Sequence, residues 1–530
     1  MSETKTPRVL GELLADRLER NADKIFMRFK EEKITYAELD RYSNRCANGF
    51  SKLGMVKGDK VSIMLPNQPE YIYLWFGLAK IGAVEVPVNT NYKGEFLRHI
   101  VDQSDSRILV IHSRYLDRIK LIEDNLPKLE KLIVLGERAP SGIGLKIPVT
   151  RYDDFFDSPE DPVNVKVLPK DPISIIYTSG TTGLSKGALG PHNFWIVSAE
   201  KMLEYRQGGS NDIFYTFMPL YHFNAQVLTT LTTLIAEAQM VLADHFSASG
   251  FWDEIRRYGA TQFNYLGAVM PILAKQPKKD NDRDNPAVIA LGAGCPPDVM
   301  EEVEARFGIK CLEGFGMTEI GIAIHVEVGD RRPGSCGKPL DIYEFKLVDD
   351  DDNEVPVGEI GEILFRPKEP FIMMLEYYNM PEKTLEACRN LWFHTGDLAR
   401  KDQDGYYYFV DRKKDALRRR GENISSFEVE RAINTHPKVL ESAAVAVKSE
   451  LAEDEVKICV VLQPGETLGY EELIAHADDR MPYFAVPRFV EYMDQLPKTP
   501  TERIQKYKLK QAGVTENTWD REKAGIKISR

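Results

Sequence analysis

Residues 177–192 read YTSGTTGLSKGALGPH, a run of Ser, Thr and Gly with a single lysine, placed directly after an apolar segment. That composition suits phosphate. Backbone N–H groups and the hydroxyls of Thr178, Ser179, Thr181 and Thr182 can encircle phosphate oxygens. Gly180, Gly183 and Gly187 let the backbone approach or turn, and Lys186 adds positive charge. The spacing is not that of a Walker loop, G-x-x-x-x-G-K-[ST]: five residues on from Gly180 stands Ser185, and Lys186 is followed by Gly187. The duller alternative is a surface turn, and the density of Ser, Thr and Gly after an apolar strand weighs against it. A second cluster, RKKDALRRR at 412–420, points to a small anionic partner if it is more than a solvated charge run.

A loop of this kind needs a rigid frame. KVSIML (60–65), RILVIH (107–112), KLIVLG (131–136) and PISIIYTSG (172–180) read as strands, and PEYIYLWFGLAKIGA (69–83) as an amphipathic helix. The alternation predicts an α/β fold: a large N-terminal domain of parallel-rich sheets covered by helices. The character changes after residue 400. KDQDGYYYFVDRKKD (401–415) reads as a hairpin around an Asp-Gly turn, leading into a charged link. A helix starting near Ser425 and Ser426, strands AAVAVK (443–448) and KICVVLQ (457–463), a helix at 471–481 and a strand at 489–493 follow. They make a small α+β unit of about a hundred residues. The expected division is 1–413 and 414–530.

The chain has 530 residues, 43% of them hydrophobic and 28% charged, and a formal net charge of −12. A phosphate-neutralising nucleic-acid surface is not expected from that balance. Cys46, Cys295, Cys311, Cys336, Cys388 and Cys459 form no C-x-x-C pair, which argues against zinc ribbons and disulfide scaffolds and for a reducing compartment. MSETKTPRVL lacks the apolar core of a signal peptide, and LTTLTTLIAEAQMVLA (228–243) is too short and too polar to span a bilayer. The expectation is a cytoplasmic protein with no integral membrane segment.

YTSGTTGLSKG resembles the signature of the adenylate-forming superfamily: acyl-CoA synthetases, peptide-synthetase adenylation domains and luciferases. FMPLYHFNAQ (217–226), GFGMTE (314–319), GEIGEI (358–363), YYN (377–379), WFHTGDLA (392–399) and DRKKDALRRRGENISSFEVE (411–430) follow in the family's order, so the resemblance covers nearly the whole chain. MPLYHFNAQ, the surroundings of DRRPGSCGKP (330–339) and RRGENIS look most like carnitine/crotonobetaine-type CoA ligases. The resemblance implies a two-step reaction. A carboxylate attacks the α-phosphate of ATP and expels pyrophosphate, then a thiol, usually that of CoA, displaces AMP from the acyl-adenylate.

It also implies roles for individual residues. Thr178, Ser179, Gly180, Thr181, Thr182, Gly183 and Lys186 would hold the β- and γ-phosphates, with Gly292, Gly314, Phe315 and Gly316 around the nucleotide. Thr318 would contact the α-phosphate and Glu319 would bind Mg²⁺, for which a carboxylate oxygen is a suitable hard ligand. Asp397 would accept both ribose hydroxyls, with Arg412 near the ribose and phosphates, and Lys414 would be the hinge of the small domain. His222 stands where an aromatic gate separates acyl pocket from thiol tunnel; nothing in the sequence places a carboxylate beside it. Acyl-pocket candidates are His222, Phe223, Asn224, Asn264, Tyr265, Gly294, Gly316, Met317 and Ile320. Phe223 and Tyr265 are the aromatics available for a quaternary-ammonium cage. Gly421 would line the thiol tunnel, and one or more of Arg418, Arg419 and Arg420 would meet CoA phosphates. ATP, Mg²⁺, CoA and a small carboxylic acid are thus the implied ligands; the sequence is silent on assembly, for which a homodimer is the general expectation.

Two positions depart from the family pattern. In LPKTPTERIQKYK (496–508) Arg503 stands where the family carries a lysine that neutralises charge between carboxylate and α-phosphate. A planar guanidinium keeps the charge but not the compact shape. Three readings compete: Arg503 works in a shifted pose, a neighbour such as Lys506 fills in, or the first half-reaction is lost. The first is expected, with slowed adenylation. Ser185 replaces a common proline, a change expected only to loosen the loop slightly. The alternatives to an acid–CoA ligase are a fatty-acyl-CoA synthetase with a longer apolar pocket, and an acyl- and nucleotide-binding protein that no longer turns over. No carrier-domain serine motif is evident, so a carrier-protein acceptor would act in trans.

Overall fold

The computed structural model describes residues 6–137, 142–178, 185–266, 269–295, 297–412, 417–419, 422–424, 426–448, 454–497, 504 and 506–529. Two large sheets form the frame. One runs, in spatial order, Lys338–Pro339, Gly321–His325, Lys310–Met317, Ile289–Gly292, Gln262–Asn264, Ile213–Thr216, Gln239–Leu242, Ile25–Phe29 and Glu32–Thr35. Its centre is parallel, and its edge pairs are antiparallel. The other runs Glu376–Tyr377, Lys186–Pro191, Pro172–Thr178, Val84–Pro87, Lys60–Met64, Ser106–His112, Lys131–Leu135 and Val149–Arg151, again parallel except at the first two pairings.

Strands buried on both faces read as continuous apolar runs, and KVSIM at 60–64 and ILVI at 108–111 do so. Their connections are helical. Tyr36–Lys52 starts on a capping box: Glu38 N–H donates to Thr35 Oγ1 (3.1 Å) and Thr35 N–H to Glu38 Oε2 (2.9 Å). The segment expected to be an amphipathic helix over 69–83 spans Pro69–Ile81 and is buried on every side except at Glu70 and Lys80. Its apolar residues pack into a core shared with strands of both large sheets. A helix enclosed in this way has no solvent face to keep polar. Gly77 allows the close approach, because a Cβ there would lie 2.6 Å from that of Cys46.

A third sheet is antiparallel throughout: Tyr343–Val348, Ile360–Pro367, Phe393–Lys401 and Tyr407–Arg412. Its last hairpin turns at Asp404-Gly405, where Gly405 has φ +84°. The 228–243 stretch divides into a π-helix Asn224–Leu231, a short helix Thr232–Ile235 and the strand Gln239–Leu242. Among the described residues no helix is long and apolar enough to cross a membrane.

After the short hairpin Leu417–Arg419/Glu422–Ile424 comes the expected α+β unit. Its sheet is Val439–Lys448, Asp454–Leu462, Phe489–Tyr492 and Trp519–Asp520, with helices Ser426–Asn434, Tyr470–Arg480 and Lys506–Ala512. Its apolar core includes Phe96, from the helix Gly94–Gln103 of the larger unit, and Lys93 Nζ lies 3.6 Å from Asp478 Oδ1.

Candidate active site

The second sheet delivers the Ser/Thr/Gly loop. Pro172–Thr178 and Lys186–Pro191 pair antiparallel with Thr178 opposite Lys186, which brings the two flanks of the Ser/Thr/Gly run together. Ser179, Gly180, Thr181, Thr182 and Gly183 themselves lie outside the described residues. Glu319 comes in from the first sheet, in the turn after Lys310–Met317, where its carbonyl accepts Met374 N–H at 2.8 Å. It is buried, and its Oε1 accepts from Tyr377 Oη at 2.8 Å and lies 3.3 Å from Thr178 Oγ1. Lys186 Nζ sits 3.9 Å from the centroid of the Tyr377 ring. Burial, then the Glu319 charge, hold the Tyr377 phenol far above its ordinary pKa, so it remains a donor. Tyr377 is a residue that sequence reasoning passed over inside the YYN motif; no local signal connects it with Glu319.

The GFGMTE segment requires its glycines. A Cβ on Gly316 would stand 2.4 Å from the Gly321 carbonyl, and one on Gly292 2.4 Å from that of Tyr265. Gly314 meets the Ile324 carbonyl at 2.9 Å in the same way. Phe315 stacks between Phe365 and Phe409, with centroids 6.4 and 6.2 Å away, which ties this loop to the antiparallel sheet. Thr318 and Met317 are half-buried at the loop, and Ile320 is fully buried, its carbonyl accepting Tyr343 Oη at 2.7 Å. Asp397, on the antiparallel sheet, is buried and stands opposite Arg412 in the strand register. The turn before it is fixed by Glu362, whose Oε1 accepts Gly396 N–H at 3.1 Å.

The acyl-pocket candidates separate into two groups. Phe223 packs against Phe194 and Trp195, and Tyr265 gives its hydroxyl to the Leu312 carbonyl at 3.2 Å. Both therefore belong to the core lining rather than to an open aromatic cage. Gly294 has φ +76° at the end of the adjacent strand. Asn224 and Asn264 meet: Asn264 Nδ2 donates to Asn224 Oδ1 at 2.8 Å and to Thr229 Oγ1 at 3.1 Å.

His222 has a half-exposed side chain, and its Nε2 lies 3.4 Å from Glu422 Oε2 of the short hairpin. The carboxylate absent from its sequence neighbourhood thus arrives from the small unit. Ser185 does more than loosen its loop. Its N–H and hydroxyl both donate to Glu428 Oε1, at 2.8 and 2.5 Å, in a buried contact between the two units. A proline would supply neither donor. Arg419 is unsuited to a CoA phosphate: it is buried, its Nε is 2.7 Å from Glu455 and its Nη1 donates to the Phe484 and Val486 carbonyls. Lys506 is engaged by Glu430 (2.6 Å) and Ser426 (2.8 Å), so it is not a stand-in for the family lysine in this arrangement. Lys414, Arg420, Gly421 and Arg503 lie outside the described residues.

A carboxylate that accepts from two hydroxyls, beside a lysine at the base of a Ser/Thr/Gly loop, fits a Mg²⁺ carried largely by nucleotide phosphates. Among the described residues no group of three or more His, Cys, Asp or Glu could hold a metal ion by itself. The AMP-binding enzyme family matches residues 14–378, and the AMP-binding enzyme C-terminal domain matches 428–503. The chain belongs to the AMP-binding enzyme family. This AMP-binding enzyme is similar to the crotonobetaine/carnitine–CoA ligase of Salmonella agona, 32% identical over 498 residues that cover 90% of this chain and 93% of that one. Among solved structures it is similar to the anthranilate CoA ligase AuaEII in complex with anthranoyl-AMP, at 27% identity and TM-score 0.73, with 96% and 98% of the two chains covered. An o-succinylbenzoate CoA synthetase from Bacillus subtilis bound with its product analogue shares the fold at TM-score 0.82 and 23% identity, over 94% and 98% of the chains.

Proposed function

We propose that this AMP-binding enzyme is an ATP-dependent, AMP-forming carboxylic acid–CoA ligase that works through an acyl-adenylate. The observation that carries the reading is the meeting of Thr178, Lys186 and Glu319 at the base of the phosphate loop, from two different sheets. In the first step a carboxylate oxygen attacks the α-phosphorus and pyrophosphate leaves. The loop residues hold the outgoing phosphates, Thr318 orients the α-phosphate, and Asp397 fixes the ribose, so that attack is in line. Mg²⁺ at Glu319, when bound, neutralises charge on the phosphates. Arg503 supplies the bridging positive charge in a less compact form than lysine, and adenylation is slower for it.

In the second step the CoA thiol displaces AMP, with His222 at the junction of acyl pocket and thiol entry and Arg420 and Gly421 beside the incoming CoA. The small unit, taken as 414–530 and hinged at Lys414, carries Arg503 for the first step and the Glu422 hairpin for the second. The contacts Ser185–Glu428 and His222–Glu422 support a reading of the present arrangement as the thiol-transfer one. Six free cysteines, five of them buried, support a reducing, cytoplasmic setting, and a homodimer is the assembly we expect.

The test is incubation with ATP, Mg²⁺ and CoA across a panel of carboxylic acids, reading acyl-AMP and acyl-CoA separately by mass spectrometry, for this chain and for Arg503→Lys. Acyl-CoA from the unaltered chain, with faster acyl-AMP formation in Arg503→Lys, is the expected result. Neither product from either protein contradicts the ligase reading.

A further inference from the structure

Asn264 ends the strand Gln262–Asn264, whose neighbour Ile289–Gly292 pairs in turn with Lys310–Met317, the strand leading to Glu319. All three are parallel at their shared ends, so Asn264 opens at the carboxyl edge of the sheet, where open α/β sheets bind ligands. Asn224 begins the π-helix that covers this edge, two residues after His222. Their hydrogen bonding is incomplete in a particular sense. Asn264 is only 1% exposed, and both protons of its Nδ2 are taken by Asn224 Oδ1 and Thr229 Oγ1. Its Oδ1 is buried and has no partner among the described residues. Asn224 is half-buried, and since its Oδ1 is the acceptor in that bond, its Nδ2 is left to solvent or to a ligand. A buried acceptor without a donor is costly, and native proteins rarely leave one so without a ligand or water to satisfy it.

We propose that the Asn224–Asn264 pair is the specificity subsite of the acyl pocket, and that the acid it selects carries a neutral hydroxyl group. A hydroxyl, being both donor and acceptor, would donate to Asn264 Oδ1 and accept from Asn224 Nδ2, and so satisfy the buried acceptor. The inference rests on the ligase reading. It disfavours a saturated acyl chain, which would leave the Asn264 acceptor unpaired. It equally disfavours a quaternary ammonium acid: both side chains are uncharged amides, and the nearby aromatics Phe223 and Tyr265 are committed to core packing and to the Leu312 carbonyl.

The experiment compares kcat/KM for acyl-CoA formation with matched acids: hexanoate against 3-hydroxyhexanoate and 6-hydroxyhexanoate, benzoate against 4-hydroxybenzoate, and 4-trimethylammoniobutyrate. The unaltered chain should favour a hydroxylated member by about tenfold or more, the scale of one well-made hydrogen bond plus an otherwise unpaired buried group. In Asn224→Leu, and separately in Asn264→Leu, that ratio should fall to about one, whatever the change in turnover of the unsubstituted acid. Equal rates within both sets, a ratio unchanged in Asn224→Leu, or preference for the trimethylammonium acid overturns the inference while leaving the ligase standing. Neither acyl-AMP nor acyl-CoA from any acid overturns the ligase reading, and the inference falls with it.

Discussion

Glu319 meets two hydroxyl groups, and that arrangement defines what each neighbour contributes. Tyr377 Oη, held protonated by burial and by the adjacent carboxylate, orients one oxygen of Glu319, and Thr178 Oγ1 approaches the same atom. Tyr377→Phe keeps the ring under Lys186 and removes only the hydroxyl. Hydrogen bonds to charged groups contribute roughly 1.5–3 kcal/mol, so acyl-AMP formation, followed as pyrophosphate release, should slow roughly 10- to 100-fold. Glu319, Asp397 and Lys186 can be singled out in the sequence because each sits inside a dense ordered motif. Tyr377 cannot, because its part depends on Glu376–Tyr377 joining the sheet beside Lys186–Pro191. Glu422 and Glu428 were illegible for the same reason: each acts on a residue far away in the chain, His222 and Ser185.

Between elements, the decisive contact is the one from the loop-closing hairpin to the helix Ser426–Asn434. Ser185 bonds Glu428 through both its backbone and its side chain, so the arrangement of the two units depends on a residue whose usual replacement cannot make either bond. Ser185→Pro should therefore slow conversion of preformed acyl-AMP by CoA about tenfold while leaving acyl-AMP formation near its original rate. Ser185→Ala, which keeps the N–H donor, should fall between. Equal effects on both half-reactions would mean that the contact does not distinguish the two arrangements. Strand and helix positions in the small unit followed the apolar pattern closely, as the continuous apolar runs at 443–448 and 457–463 are a local signal. The buried character of Pro69–Ile81 was hidden, because periodicity does not report what lies on a helix's second face.

At the scale of the whole molecule, two buried carboxyls couple folding to pH. Glu85 lies inside the second sheet, where Gln226 Nε2 donates to its two oxygens at 2.9 and 3.0 Å, and burial pushes it up to about 8. Burial likewise pushes Glu313, which accepts Cys295 N–H at 2.9 Å, up to about 7. An unfolded glutamate titrates near 4.3, so the folded chain holds these protons across the window in which the unfolded chain has released them. The stability they contribute is present in full below about pH 4 and is lost as pH rises through 7 and 8. Each group adds a slope of about 1.4 kcal/mol per pH unit inside its window. Thermal melts should show Tm falling between pH 6 and 8, with a shallower fall in Glu85→Gln; parallel curves for the two proteins would contradict this. The α/β class and the small α+β unit were readable from alternating patterns, whereas the antiparallel third sheet was not. It is assembled from strands at 343–348, 360–367 and 393–401 that carry no parallel-sheet signature.

Bonding of the carboxylate oxygen to the α-phosphorus of ATP has one direct test. An acid that turns over is supplied with both carboxylate oxygens as ¹⁸O, together with ATP, Mg²⁺ and CoA, and the products are weighed by mass spectrometry. An acyl-adenylate route places one ¹⁸O in AMP and one in the acyl-CoA, with unlabelled pyrophosphate. Label in inorganic phosphate with ADP as co-product, or unlabelled AMP, would contradict the account.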